Sequence, residues 1–95
     1  MKGSRLLQAL RRLEGSTLET ITGAHFTVDS VSEDGTVTVM PHSTKKYRRI
    51  PVKELEAAYH LQLQGKDLRP STVRNAGASE ANPAYVTAII RAVQE

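Results

Sequence analysis

The chain has 95 residues, enough for one domain built around one hydrophobic core. It contains no cysteine, which excludes disulfides, thiolate metal sites and a thiol nucleophile, and the lack of disulfides favours a cytoplasmic protein. Its net charge of +3 is too small by itself to indicate a partner.

Membrane association is not expected from this sequence. Its apolar runs are all far shorter than the ~20 residues that a membrane-spanning helix needs. Residues 6–13 are interrupted by polar side chains, whereas a signal peptide needs an unbroken apolar region there. We therefore expect a soluble, cytoplasmic protein that forms a single domain over residues 1–95.

The first predicted element is a helix over residues 4–14. Its leucines recur at helical spacing, and Gly15 supplies a left-handed stop just after the last of them. Residues 18–21 are compatible with a short edge strand, although Gly23 soon interrupts the pattern.

An antiparallel meander of three strands is predicted next, because the apolar residues change from helical spacing to alternation. The Asp34-Gly35 pair is typical of a hairpin turn with positive φ. Val31 falls out of phase with the alternation, which predicts that the first of these strands ends or bulges there. The three predicted strands cover residues 25–31, 36–40 and 47–50.

Three helices are predicted after the strands. Pro51 is suited to open the first of them, because its missing N–H costs nothing at the first helical position. Asn82 and Pro83 form an N-cap and a first helical residue for the last one. The three predicted helices cover residues 52–64, 70–75 and 83–94.

This order of elements indicates an α+β fold. We predict an N-terminal helix, a small antiparallel three-stranded meander and three C-terminal helices in a helix-turn-helix-like arrangement. The apolar stripes of these elements are expected to form one core, which consists of Leu6, Leu10, Leu13, Phe26, Val28, Val37, Val39, Ile50, Leu55, Tyr59, Val86, Ile89, Ile90 and Val93.

Motifs of known catalytic or cofactor chemistry are absent from the sequence. His25, His42 and His60 fall in three different predicted elements, and none has a second ligand at metal-binding spacing. Glu54 and Glu56 do not share a helix face, so they are poor partners for acid–base chemistry. There is no nucleophile elbow, Walker-type loop or dinucleotide fingerprint. We therefore predict a protein that is not an enzyme, with no catalytic residue, metal or cofactor.

A basic segment is the strongest functional signal. No acidic residue occurs between Asp34 and Glu54, and the cations of this interval sit beside hydroxyl groups and one tyrosine. Cations and hydroxyls are the groups that bind phosphates, so we expect nucleic-acid contacts here. Edge-strand cations that only prevent edge-to-edge association are the alternative. The predicted contacts in this segment are Lys45, Lys46, Arg48, Arg49 and Lys53.

The helical half adds a second group of candidate contacts. Arg69, Arg74 and Asn75 flank or belong to the short middle helix, and arginine and asparagine can pair with base edges. Asn82 is interpreted as an N-cap rather than a base contact, and Tyr85 is as suited to the core as to stacking. DNA is favoured over RNA as the ligand.

The competing interpretation is a protein–protein interaction or dimerisation module, such as a small accessory, antitoxin-like or immunity-type protein. Its basis is the small size and the leucine-rich first helix, which could pair with a second copy. Met40 and Leu61, both predicted to be exposed, would serve such an interface. A small enzyme is disfavoured, because four aromatic residues and a thin core leave little room for a cleft.

Overall fold

A computed structural model of the protein describes residues 2–93, with the side chains of residues 5–93. Residue 94, the predicted end of the last helix, lies outside the described residues. The helices are α1 (Lys2–Arg12), α2 (Val52–Leu63), α3 (Pro70–Asn75) and α4 (Pro83–Val93). The strands are β1 (Thr17–Glu19), β2 (His25–Val31), β3 (Val37–Pro41) and β4 (Arg48–Ile50).

The sheet has four antiparallel strands in the order β1-β2-β3-β4, so the predicted three-stranded meander is wrong. The additional strand is β1, which pairs with β2 from Thr17↔Thr27 to Glu19↔His25. Gly23, interpreted above as an interruption, instead forms the turn between these two strands. Its φ is +92°, and its N–H donates to the Thr20 carbonyl over 2.9 Å.

A bulge explains the phase of Val31. The register between β2 and β3 shifts between Val28 and Ser30, so Asp29 is the extra residue and Val31 returns to the buried face. The Val31 N–H donates to the Glu14 carboxylate over 2.7 Å. The irregularity therefore lies just before Val31, and the strand continues through it.

The turn between β2 and β3 is closed by side-chain hydrogen bonds. The Asp34 carboxylate accepts from the Ser32 hydroxyl and, over 3.0 Å, from the Thr36 N–H. Both bonds favour the ionised carboxylate and hold the pKa of Asp34 below its ordinary value of 3.8. Gly35 follows with a φ of +94°, as the Asp-Gly pair predicts.

Helix α4 lies at the centre of the packing, against α1, α2, α3 and β1. Within α4, Ile89 and Ile90 are fully buried, and the side chain of Thr87 is also buried. A recognition helix must instead present one face to a DNA groove. The predicted helix-turn-helix-like arrangement is therefore wrong for this helix. None of the four helices in the described part of the chain has the length and apolar character needed to cross a membrane.

The core matches most of the predicted apolar stripes. Eleven of the predicted core residues are buried, whereas Leu13, Tyr59 and Val93 are half-buried at its margin. Five further buried apolar residues were not predicted, and one of them, Val73, belongs to α3, which packs against α4. These five residues are Val31, Ala58, Leu68, Val73 and Ala78.

Candidate nucleic-acid interface

The segment between β3 and β4, together with the first two residues of β4, is exposed at every position from 42 to 49. We call residues 42–49 the basic loop. Lys45 adopts a φ of +56°, and its N–H donates to the Pro41 carbonyl over 2.8 Å. The Lys46 N–H donates to the Thr44 hydroxyl over 3.3 Å. These bonds form a compact turn, from which lysine side chains extend into solvent.

The basic loop and the acidic hairpin turn lie at opposite ends of the sheet. Strand β3 ends and β4 begins at the basic loop, whereas Glu33 and Asp34 lie in the turn that joins β2 to β3. Antiparallel pairing places these two connections at opposite ends of the strands. Lys45 and Lys46 therefore lie at one end of the sheet, and Glu33 and Asp34 lie at the other end, where Arg49 lines the same cavity as these two carboxylates.

Two histidines lie at the same end of the sheet as the basic loop. The backbone N–H of His42 donates to the backbone carbonyl of His25 over 3.0 Å. The two imidazole rings stack, with centroids 6.3 Å apart and planes 21° from parallel. Thr27 Oγ1 lies 2.8 Å from His42 Nε2, and Glu19 Oε1 lies 3.7 Å from His25 Nε2. Their spacing in the sequence does not indicate this proximity, because only the pairing register brings the two histidines together.

The two arginines of β4 differ in their surroundings. Arg48 pairs with Val39 on the inner side of the sheet, and its guanidinium donates to Asn82 Oδ1 over 3.2 Å. Its Cζ also lies 5.8 Å from the centre of the Tyr85 ring, within cation–π distance. Arg49 pairs with Thr38 and is exposed on the outer face. Arg48 thus connects β4 to α4, whereas Arg49 faces solvent.

The segment before α4 is held by a chain of polar contacts. The Ser79 hydroxyl donates to Glu54 Oε1 over 2.6 Å and accepts from the Asn82 N–H over 3.1 Å. Asn82 is only 8% exposed, and its side chain accepts from Arg48. Tyr85 packs edge-on against Phe26 with the ring centres 5.0 Å apart. Neither Asn82 nor Tyr85 is therefore placed to reach a base.

The remaining predicted contacts are exposed but lie in other elements. Lys53 is exposed in the first turn of α2, and Arg74 and Asn75 are exposed at the end of α3. Arg69 Nε donates to Asp67 Oδ2 over 2.8 Å in an exposed ion pair. Among the hydrogen bonds and ion pairs of the described residues, none joins these side chains to the basic loop.

In the described residues, no group of three or more His, Cys, Asp or Glu side chains is placed to hold a metal ion. Comparison of the chain with models of known families, with curated proteins and with solved structures finds no match.

Proposed function

We propose that the protein binds nucleic acid, with DNA as the favoured ligand, through the basic loop. The observation that carries the proposal is the unbroken exposure of residues 42–49 at the basic end of the sheet. This segment combines lysine and arginine with the hydroxyls of Ser43 and Thr44, which are groups that bind phosphate oxygens. Lys45 and Lys46 precede the edge strand, so protection of that edge does not account for them.

The contacts have different roles in this proposal. All four cations of the basic loop are exposed, and Lys45, Lys46 and Arg49 are the ones that bind phosphates. Arg48 is a positioning residue, since its contacts with Asn82 and Tyr85 fix the start of β4. A second group of exposed residues lies outside the basic loop and is proposed to contact base edges. It consists of Lys53, Arg69, Arg74 and Asn75.

Salt-dependent binding tests the proposal. The affinity for a labelled mixed-sequence duplex is measured by fluorescence anisotropy at about 50 and 200 mM salt. About three phosphate contacts predict an affinity loss of roughly 40-fold between these concentrations. A variant with Lys45→Ala, Lys46→Ala and Arg49→Ala should lose most of this dependence. Arg48 stays unchanged in it, so that the fold is not disturbed.

A control variant removes the same charge elsewhere. Arg5, Arg11 and Arg12 are exposed on α1, and alanine favours helix, so their replacement should leave folding intact. The control should keep the salt dependence of the unmodified protein. An absence of binding at the lower salt concentration would remove duplex DNA as the ligand, and equal salt dependence in both variants would remove the basic loop as the ligand site.

Self-association is the second candidate function, favoured by a groove between β1 and α4. Leu18, Ile21, Ala88 and Ala92 line this groove, and Ile21 is 56% exposed. Strand β1 is also an edge of the sheet, where backbone groups can pair with another chain. Self-association there requires that the midpoint of thermal unfolding rise with protein concentration.

The other surfaces expected to serve self-association are less suited to it. Met40 and Leu61 are half-buried, which corrects the expectation that both are exposed. Leu6 and Leu10 of α1 are buried against the protein's own core, so the first helix does not offer them to a second copy.

A further inference from the structure

Three exposed rings surround the basic end of the sheet. Tyr47 is 62% exposed at the end of the basic loop, and His42 is exposed at its start. The side chain of His25, at the start of β2, is 54% exposed. Strand pairing places all three at the same end of the sheet, because β2 begins, β3 ends and β4 begins there.

The sheet holds the two histidine rings in place before any ligand arrives. Thr27 bonds the ring of His42, and Glu19 lies beside the ring of His25. Their centroid separation of 6.3 Å, with the planes 21° from parallel, is that of an offset-stacked pair, and both side chains remain exposed. Exposed, oriented rings beside cations are the groups that bind unpaired bases by stacking.

The last two helices are poorly suited to reading a duplex groove. The last helix is largely covered by the helices and the strand around it, and α3 has only six residues. In a duplex each base is already stacked on its neighbours, so a protein ring meets only base edges. An unpaired strand instead leaves the faces of its bases free.

We infer that the basic loop binds an unpaired nucleic-acid strand, with the bases stacked on Tyr47, His42 and His25 and the phosphates held by Lys45, Lys46 and Arg49. The inference rests on the proposed nucleic-acid function and specifies its ligand. The shared chemistry is a phosphodiester chain with free base faces, which DNA and RNA both supply. The rings provide affinity without base-edge recognition, so sequence preference is weak.

Binding of oligonucleotides to the full chain tests this inference. Labelled oligothymidylate, oligouridylate and a mixed duplex, each of about 12 nucleotides per strand, are titrated at the same salt concentration and followed by anisotropy. The unpaired strands should bind at least about tenfold more tightly than the duplex. Comparison of the thymidylate and uridylate arms identifies DNA or RNA as the better source.

Ring variants separate stacking from charge. Tyr47→Ala should weaken single-strand binding about tenfold, whereas Tyr47→Phe retains the ring and should retain the affinity. His25→Ala with His42→Ala should weaken single-strand binding similarly, while His60→Ala, at an exposed position on α2, is the matched control. All of these side chains are exposed, and circular dichroism checks that each variant is folded.

The outcomes are distinguishable. Duplex binding equal to or tighter than single-strand binding, with no effect of Tyr47→Ala, overturns the inference and leaves the proposed nucleic-acid function standing. An absence of binding to all three oligonucleotides overturns both. Tight single-strand binding that is lost in Tyr47→Ala and retained in Tyr47→Phe supports both.

Discussion

Gly35 meets two structural requirements at once: the positive φ of the hairpin turn and the close approach of this turn to α2. Its φ of +94° is a conformation that side-chain-bearing residues rarely adopt. A Cβ at this position would lie 2.6 Å from Cγ2 and 2.9 Å from Cβ of Val52, near the start of α2. Val52 is β-branched and stiff at χ1, so it cannot turn away easily. The hairpin and α2 therefore approach closely only because residue 35 lacks a side chain.

We expect Gly35→Ala to lower the free energy of unfolding by about 2–4 kcal/mol, from backbone strain and overpacking together. Gly65→Ala is the matched control, because Gly65 has a φ of +82° with nothing within 4 Å of a built Cβ. It should lose only the strain contribution, about 1–2 kcal/mol. Urea denaturation measures both losses. Equal losses, or no reduction of the Gly35→Ala loss when Val52→Ala is added, would show that the contact with Val52 is unimportant.

At the scale of elements, the helices and three of the strands could be predicted from the sequence, whereas the pairing of β1 could not. Helix α4 follows from its apolar stripe and its opening Asn-Pro pair, and β2 follows from alternation. Strand β1 has only three residues, too few to show a period, and its pairing with β2 is a tertiary contact. The burial of α4 depends in part on α3, a helix of six residues that contributes the buried Val73.

The connection between β4 and α4 can be tested at the same scale. Arg48→Met should lower the free energy of unfolding by about 1 kcal/mol, because it removes the bond to Asn82 and the cation–π contact with Tyr85. Arg49→Met, on the outer side of the same strand, should change it by less than about 0.5 kcal/mol. Asn82→Ala completes a double-mutant cycle measured by urea denaturation. Strictly additive losses for Arg48 and Asn82 would mean that the two side chains are not coupled.

For the whole molecule, the candidate site divides into a predictable and an unpredictable part. The cations of the basic loop are adjacent in sequence, so a charge count finds them. His25 and His42 join them only through strand register, and Arg48 separates from Arg49 because alternation places their side chains on opposite sides of the sheet. Linear sequence reveals the charge of the site, whereas the fold determines which of its rings and cations are free to bind.

The central position of α4 makes the molecule's stability dependent on that helix. Ile90 is fully buried, and Ile90→Ala should cost about 2–5 kcal/mol, whereas Ile90→Val should cost about 0.5–1.5 kcal/mol. Small proteins have only about 5–15 kcal/mol of total stability, so the alanine variant approaches the unfolding threshold.

Because α4 packs on both helices and sheet, we expect unfolding in one step, with coincident urea transitions by far-ultraviolet circular dichroism and tyrosine fluorescence. Tyr85 belongs to α4 and packs on Phe26 of β2, so it reports the contact between this helix and the sheet. A fluorescence transition that does not coincide with the loss of helix would contradict unfolding in one step.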